Sequence, residues 1–179
     1  MRTNNRKMPS HGLGACLCLI MTCLTQPCWG LVVSEIMYHP AGENEALEFI
    51  ELYNDRVVTE DVSGYAFIDG IQYTFSANTK IPPKSYVVVA RDPSALAEKY
   101  GIPGVLGPYT GSLSNSGEHI ELANANGGVF ISFRYKDTFP WPVSSDGTGH
   151  SLVLSQMAGD PEEGVAWATS LLIGHQRSE

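Results

Sequence analysis

The sequence predicts an all-β protein, an antiparallel β-sandwich with one short helix inserted. Three observations lead to this fold class. Short runs of β-branched and aromatic residues recur along the chain, residues typical of turns separate them, and strands do not alternate regularly with long helices. Of the 179 residues, 43% are hydrophobic and 17% are charged, which is typical of one globular domain rather than of a disordered chain.

Eight segments have the residue pattern of strands. They lie at 31–38, 48–53, 65–68, 71–75, 86–90, 119–122, 129–135 and 151–154. Asp69 and Gly70 separate the third segment from the fourth, and because both tolerate positive φ angles, they predict a hairpin with a two-residue type I′ turn. The continuous apolar run at 86–90 predicts a strand buried on both faces. The expected sandwich interior consists of Ile50, Leu52, Phe67, Val87, Val89, Ile120, Leu122 and Leu152.

One helix is predicted between the fifth and sixth of these strands. Asp92 can accept hydrogen bonds from the unpaired amides of a first helical turn, and Pro93 suits the first helical position. Residues 94–100 favour helix, and Gly101 then provides a residue that commonly ends one. We therefore expect a helix of about two turns.

Residues 1–30 have the pattern of a signal peptide. Three basic residues stand within the first seven positions, and an apolar run at 13–24 follows. This run is too short to cross about 30 Å of hydrocarbon, so no transmembrane span is expected in the mature chain. We expect cleavage after Gly30 and a protein that is secreted or held at the cell surface. A retained N-terminal anchor and lipidation at Cys16 are the alternatives.

The leader also contains every cysteine of the chain, at positions 16, 18, 23 and 28. The mature chain would have no disulfide, no thiolate metal site and no cysteine nucleophile. Three of the 11 basic residues and none of the 19 acidic residues lie in the leader, so the net charge of the remainder is −11. This charge argues against nucleic acid and anionic lipid as partners.

Seven segments together resemble a known family. They lie at 33–40, 48–54, 62–67, 81–91, 113–118, 135–142 and 146–152. Their residues and their order resemble the lamin-tail domain of bacterial secreted proteins, over roughly residues 31 to 170. The family usually has glycine at the position of Lys84, so the turn there is expected to differ. Residues 171–179 would be a linker or a truncated C-terminal tail.

The resemblance implies an immunoglobulin-like sandwich without catalytic activity, of the kind that forms one module of a larger extracellular or cell-surface protein. Bacterial relatives look like accessories of exported nucleases, phosphoesterases or spore-coat-type kinase-like domains. A chain of this kind is expected to bind its partner through loops or through an edge strand.

No catalytic residue and no cofactor is expected. The histidines outside the leader stand far apart, at His39, His119, His150 and His175, and the sequence contains no metalloprotease, serine-hydrolase or phosphate-loop motif. The serines of segment 111–117 could imitate a hydrolase together with His150. That segment lacks the paired glycines and the strand-turn-helix context that such a nucleophile needs.

Metal binding is a stronger alternative. Glu43, Glu45, Glu48 and Glu51 lie within nine positions, and carboxylates are the ligands that Ca²⁺ prefers. No calcium-loop pattern accompanies them or the acidic group at 160–163. We therefore expect solvated carboxylates that keep the domain soluble, and no metal site.

The sequence thus predicts a non-catalytic, exported interaction or adhesion module whose partner is a protein or a cell-surface polymer. The alternative is a substrate- or surface-targeting accessory domain of a secreted hydrolase or a spore-coat-type kinase-like protein. Tyr109, Trp141 and Trp167 are the candidate residues for polymer contact, although a tryptophan between two prolines, as at Trp141, more often closes the end of a core. A remnant of a calcium-dependent enzyme is a third possibility.

The leader generates the first testable prediction. Exported material should begin at or near Leu31 and should contain no disulfide, because the signal pattern and all cysteines lie before that residue. N-terminal sequencing of the exported protein measures this. Recovery of an intact Met1 in the cytoplasm would contradict it.

Overall fold

The computed structural model of the chain describes residues 30–155, 157 and 159–171, and within them eleven β-strands and one α-helix. The elements are β1 (Leu31–Met37), β2 (Phe49–Asn54), β3 (Glu60–Asp61), β4 (Ala66–Asp69), β5 (Tyr73–Thr74), β6 (Lys80–Ile81), β7 (Tyr86–Ala90), α1 (Pro93–Tyr100), β8 (His119–Ala123), β9 (Val129–Arg134), β10 (Leu152–Leu154) and β11 (Trp167–Thr169). The predicted all-β class with one inserted helix is confirmed. Apart from Gly30 and Leu171, the predicted leader and tail lie outside the described residues.

The strands form two main sheets. The first has the order β11-β10-β1-β2-β7 and the second the order β5-β4-β8-β9, while β3 and β6 form a separate pair. Each of these ladders is antiparallel. The four-stranded sheet therefore ends at β9 on one side and at the two-residue strand β5 on the other.

Side chains from both sheets meet in one apolar core. Ile50 and Leu52 of β2 are fully buried in it together with Ile120 and Leu122 of β8. All eight residues expected in the interior belong to this core, with Val87 at its partly buried margin. Burial of such side chains is the main stabilising contribution that a domain without cross-links can draw on.

The predicted strand at 86–90 and the helix that follows it are confirmed. Val89 faces the main core, while Val88 and Ala90 face a second cluster that includes Leu96 of α1, so the strand is covered on both faces from Val88 onward. The helix begins as expected, since Asp92 Oδ1 accepts hydrogen bonds from the backbone N–H groups of the second and third helical residues at 3.0 and 3.1 Å. It ends at Gly101, whose φ is 68°.

The prediction of a two-residue turn at Asp69 and Gly70 is wrong. The hairpin forms, but its last ladder pair is Phe67 with Tyr73, and three residues, 70–72, connect the end of β4 to the start of β5. Asp69 is still part of β4 and pairs with Glu121 of β8 after a bulge. The ladder with β8 thus fixes the backbone of Asp69 in a strand, which is incompatible with a type I′ turn at this residue.

Lys84 has a backbone conformation that glycine adopts more easily. Its φ is 53°, in the left-handed region. Its Nζ donates hydrogen bonds to the backbone carbonyl and to a carboxylate oxygen of Asp55, each at 2.5 Å. A lysine thus occupies a left-handed position here, and its side chain holds the turn against Asp55.

The turn at Lys84 generates a prediction about stability. Replacement by alanine removes the contact with Asp55 and keeps the left-handed strain, whereas replacement by glycine removes both. We expect Lys84→Gly to be more stable than Lys84→Ala by about 1 kcal/mol, because a left-handed residue with a Cβ carries a cost of that order. Urea unfolding of the two variants measures the difference. Equal stability would show that the φ of 53° is not strained.

Candidate functional site

The three aromatic residues proposed for polymer contact are buried. Tyr109, Trp141 and Trp167 are exposed by only 3%, 3% and 4%. Trp167 stacks between Trp141 and Phe133, with centroid distances of 5.7 Å to each. The prediction of an aromatic contact surface is therefore wrong, because these rings fill the core, as the environment of Trp141 between two prolines had suggested.

Glu48 is buried as well, which corrects the prediction that it is a solvated carboxylate. Its Oε2 accepts hydrogen bonds from the Tyr109 hydroxyl at 2.9 Å and from the backbone N–H of Leu113 at 3.0 Å, and Arg91 lies 3.5 Å away. Burial raises the pKa of Glu48, while the hydrogen bonds oppose this shift. These partners are remote in sequence, so no local pattern could have indicated them.

The other three glutamates of the acidic stretch contact different partners. Glu43 contacts His39, Glu45 lies 2.8 Å from Arg91, and Glu51 accepts a hydrogen bond from Ser34. Glu45 and Glu48 share Arg91, but the four carboxylates do not converge on a common point. The stretch therefore lacks the arrangement that a calcium site requires.

His39 joins two loops through its two ring nitrogens. Nδ1 lies 2.5 Å from a carboxylate oxygen of Asp146, and Nε2 lies 2.9 Å from one of Glu43. The hydrogen bond with Glu43 is the largest cause that raises the pKa of His39; burial opposes it, and Asp146 adds to it. The protonated imidazole can donate to both carboxylates at once, so it holds the start of the 41–47 segment against the loop that precedes β10.

This contact generates a prediction about pH. Because the folded-state pKa of His39 is raised, its stabilising contribution is complete below the unfolded value of about 6.5 and is lost as the pH rises through the higher folded value. We expect the difference in unfolding free energy between the parent and His39→Gln to be largest near pH 5 and to shrink above pH 7. Denaturant unfolding across this range measures it.

Asp146→Asn provides the control for that experiment. It removes one of the two carboxylates that face His39, and the pH dependence should become weaker than in the parent. A difference between parent and His39→Gln that grows with pH would contradict the interpretation.

A second polar cluster lies on the outer face of the four-stranded sheet. His119 Nδ1 donates to a carboxylate oxygen of Asp69 at 3.0 Å, and Nε2 lies 3.0 Å from Ser132 Oγ, which is also 3.3 Å from Glu121. The contact with His119, followed by the backbone N–H of Gly70, lowers the pKa of Asp69. Three neighbouring strands contribute to this cluster. The spacing of His119 and Glu121 along β8 was its one local signal in the sequence.

The order Asp69, His119, Ser132 imitates the triad of a serine hydrolase, but the surroundings of Ser132 do not support that chemistry. An acyl-transfer site needs N–H donors directed at the oxygen on which charge develops. In a strand the N–H groups lie in the plane of the sheet, whereas the Ser132 side chain projects from its face. Ser132 Oγ also lies close to the carboxylate of Glu121, which competes for its proton.

The edges of the two sheets differ in how they are protected. Leu106 exchanges backbone hydrogen bonds with β7 and covers that edge, while β5 and β11 are only two and three residues long. β9 is six residues long, and no described strand pairs with its outer side. Since natural proteins usually shorten or cover their edges, β9 is the exception.

A groove of about 420 Å³ lies beside β9. Phe130 of β9, Val33 of β1, Leu154 of β10 and Met157 contribute to its lining. Phe130 is 44% exposed, with its ring against Tyr65 at a centroid distance of 5.3 Å. The open strand and the partly apolar groove together form a surface suited to an extended segment of another chain.

The fold defines the protein as an immunoglobulin-like β-sandwich with one inserted helix. A family model described as Lamin Tail Domain matches residues 25–137, and the chain belongs to this family, which has an immunoglobulin-like fold and is not enzymatic. The matched residues include every strand from β1 to β9. The predicted resemblance is thereby confirmed.

No curated protein matches the chain significantly. Among the residues that the structure describes, no helix has the length and apolar character needed to cross a membrane.

Proposed function

We propose that this chain is a non-catalytic, exported interaction module that binds an extended segment of a partner protein along β9. The observation that carries the proposal is the outer side of this strand, with which no strand of the described residues pairs, next to a partly apolar groove. Membership of the lamin-tail family supports an interaction domain, and the signal-like leader supports export.

The ladder between β8 and β9 determines which backbone groups are available. Glu118 and Tyr135 exchange both of their backbone hydrogen bonds, at 3.2 and 3.1 Å. In an antiparallel ladder such hydrogen-bonded pairs alternate with pairs that exchange no hydrogen bonds. Ser132 and Arg134 belong to the second kind, so their N–H and C=O groups point away from β8. A partner strand would pair with these groups, at about 0.5–1.5 kcal/mol net for each hydrogen bond.

Side-chain contacts would give such a complex its specificity. Alternate residues of an added strand point to opposite faces of the sheet, so one set would reach the groove between β9 and β1. Phe130 would contact that set. The net charge of −11 for residues 31–179 favours a partner segment with basic residues beside its apolar ones.

The positions of the three candidate aromatic residues do not support the alternative of a polymer-targeting accessory domain. It relied on aromatic side chains at the surface, and Tyr109, Trp141 and Trp167 are buried. The open strand edge, by contrast, offers hydrogen-bonding groups that suit a polypeptide backbone.

The test is a selection of short peptides from a displayed random library on the purified protein. A selected peptide should shift the backbone amide resonances of Ser132 and Arg134. Phe130→Lys should weaken its binding at least about tenfold, because a charge on an edge strand opposes strand addition. Phe139→Lys is the matched control, since Phe139 is an exposed phenylalanine outside the strands.

The control variant should bind like the parent. Peptides that shift resonances elsewhere, or that bind both lysine variants equally, would contradict the proposal, as would a selection that enriches no peptide.

A further inference from the structure

We infer that Asp69, His119 and Glu121 form a binding site for a divalent transition-metal ion, of which Zn²⁺ is the representative, on the outer face of the four-stranded sheet. Each of the three residues offers one ligand atom, and these atoms all lie within 4.8 Å of one another. Within the described part of the chain, no second group of three histidine, cysteine or acidic residues converges in this way.

The distances are close to those that a zinc ion needs. Zinc binds nitrogen and oxygen ligands at about 2.0–2.2 Å, which places tetrahedral ligand atoms about 3.4 Å apart. The antiparallel ladder already sets Asp69 of β4 directly opposite Glu121 of β8. Asp69 is exposed and the other two residues are partly exposed, so small side-chain rotations can bring the ligand atoms to coordination distance.

The electrostatics of the cluster favour a cation. Carboxylates that lie directly opposite each other across a ladder repel, and here Asp69 faces Glu121. The neighbouring Arg134, which faces His119 across the β8–β9 ladder, offsets part of this negative charge. A bound divalent ion would neutralise both carboxylates at the point where they meet.

The donor set selects the class of metal. An imidazole nitrogen combined with two carboxylates suits zinc and similar transition metals, whereas calcium and magnesium prefer oxygen ligands alone. Ser132 Oγ, near both His119 Nε2 and a Glu121 oxygen, is placed to hydrogen-bond a ligand from outside the coordination sphere. The exposed position leaves room for water as a further ligand.

The experiment is a calorimetric titration of the full chain with Zn²⁺, after alkylation of its four leader cysteines so that thiolates do not bind the ion. We expect one equivalent of Zn²⁺ to bind tightly to each chain. His119→Gln and Asp69→Asn should each weaken this binding at least about tenfold, with unchanged circular dichroism. His150→Gln and Glu98→Gln are the controls, since one removes a histidine and the other a carboxylate outside the cluster.

A second measurement identifies the site directly. Zinc should shift the ring resonances of His119 and leave those of His39 and His150 in place, and an excess of Ca²⁺ or Mg²⁺ should not reverse the shift. Zinc binding that is equally tight in His119→Gln, or that shifts only the other histidines, would overturn the inference. So would the absence of zinc binding in the parent. These outcomes are independent of the peptide test, because no variant in it alters a residue of the metal cluster.

Discussion

The buried carboxylate of Glu48 holds the chain where it passes from one sheet to the other. Its hydrogen bonds to Tyr109 and Leu113 fix a segment whose Leu106 covers the edge of β7 and whose Thr110 pairs with the residue before β5. Placing a carboxylate in the interior is costly unless donors surround it, and removing one member of such a group leaves the others without partners. This contact therefore fixes the segment that connects the two sheets, whose inner faces share one apolar core.

The same segment explains why the molecule is asymmetric at its edges. By covering β7 it closes one side of the five-stranded sheet, while nothing comparable among the described residues covers β9. The sheet that carries the open edge also carries the cluster of His119 and its carboxylates on its outer face. The open edge and the metal cluster thus belong to the same four-stranded sheet, while β1 and β10 of the five-stranded sheet contribute Val33 and Leu154 to the groove beside that edge.

Local signals predicted most of the fold, and remote contacts account for what was missed. The cap at Asp92 and the apolar run of β7 depend on neighbours within a few positions, and both were found. The prediction of a two-residue turn at Asp69 was wrong because this residue pairs with a strand about fifty positions away. For the same reason, charge and size alone suggested exposure for Glu48 and Trp167, whose environments are made by distant segments.

The position of β10 in the five-stranded sheet has a consequence for how the fold is completed. β10 lies beside β1, so Glu35 is joined to Ser151, which is 116 positions away. During synthesis from the N-terminus, β1 can pair with β2 early, whereas its other neighbour, β10, is made only near the end of the sandwich. Closure of such remote contacts is slow. The order of strands thus leaves one side of β1 without its neighbour until β10 is made, so the five-stranded sheet is completed only by the last strands of the chain.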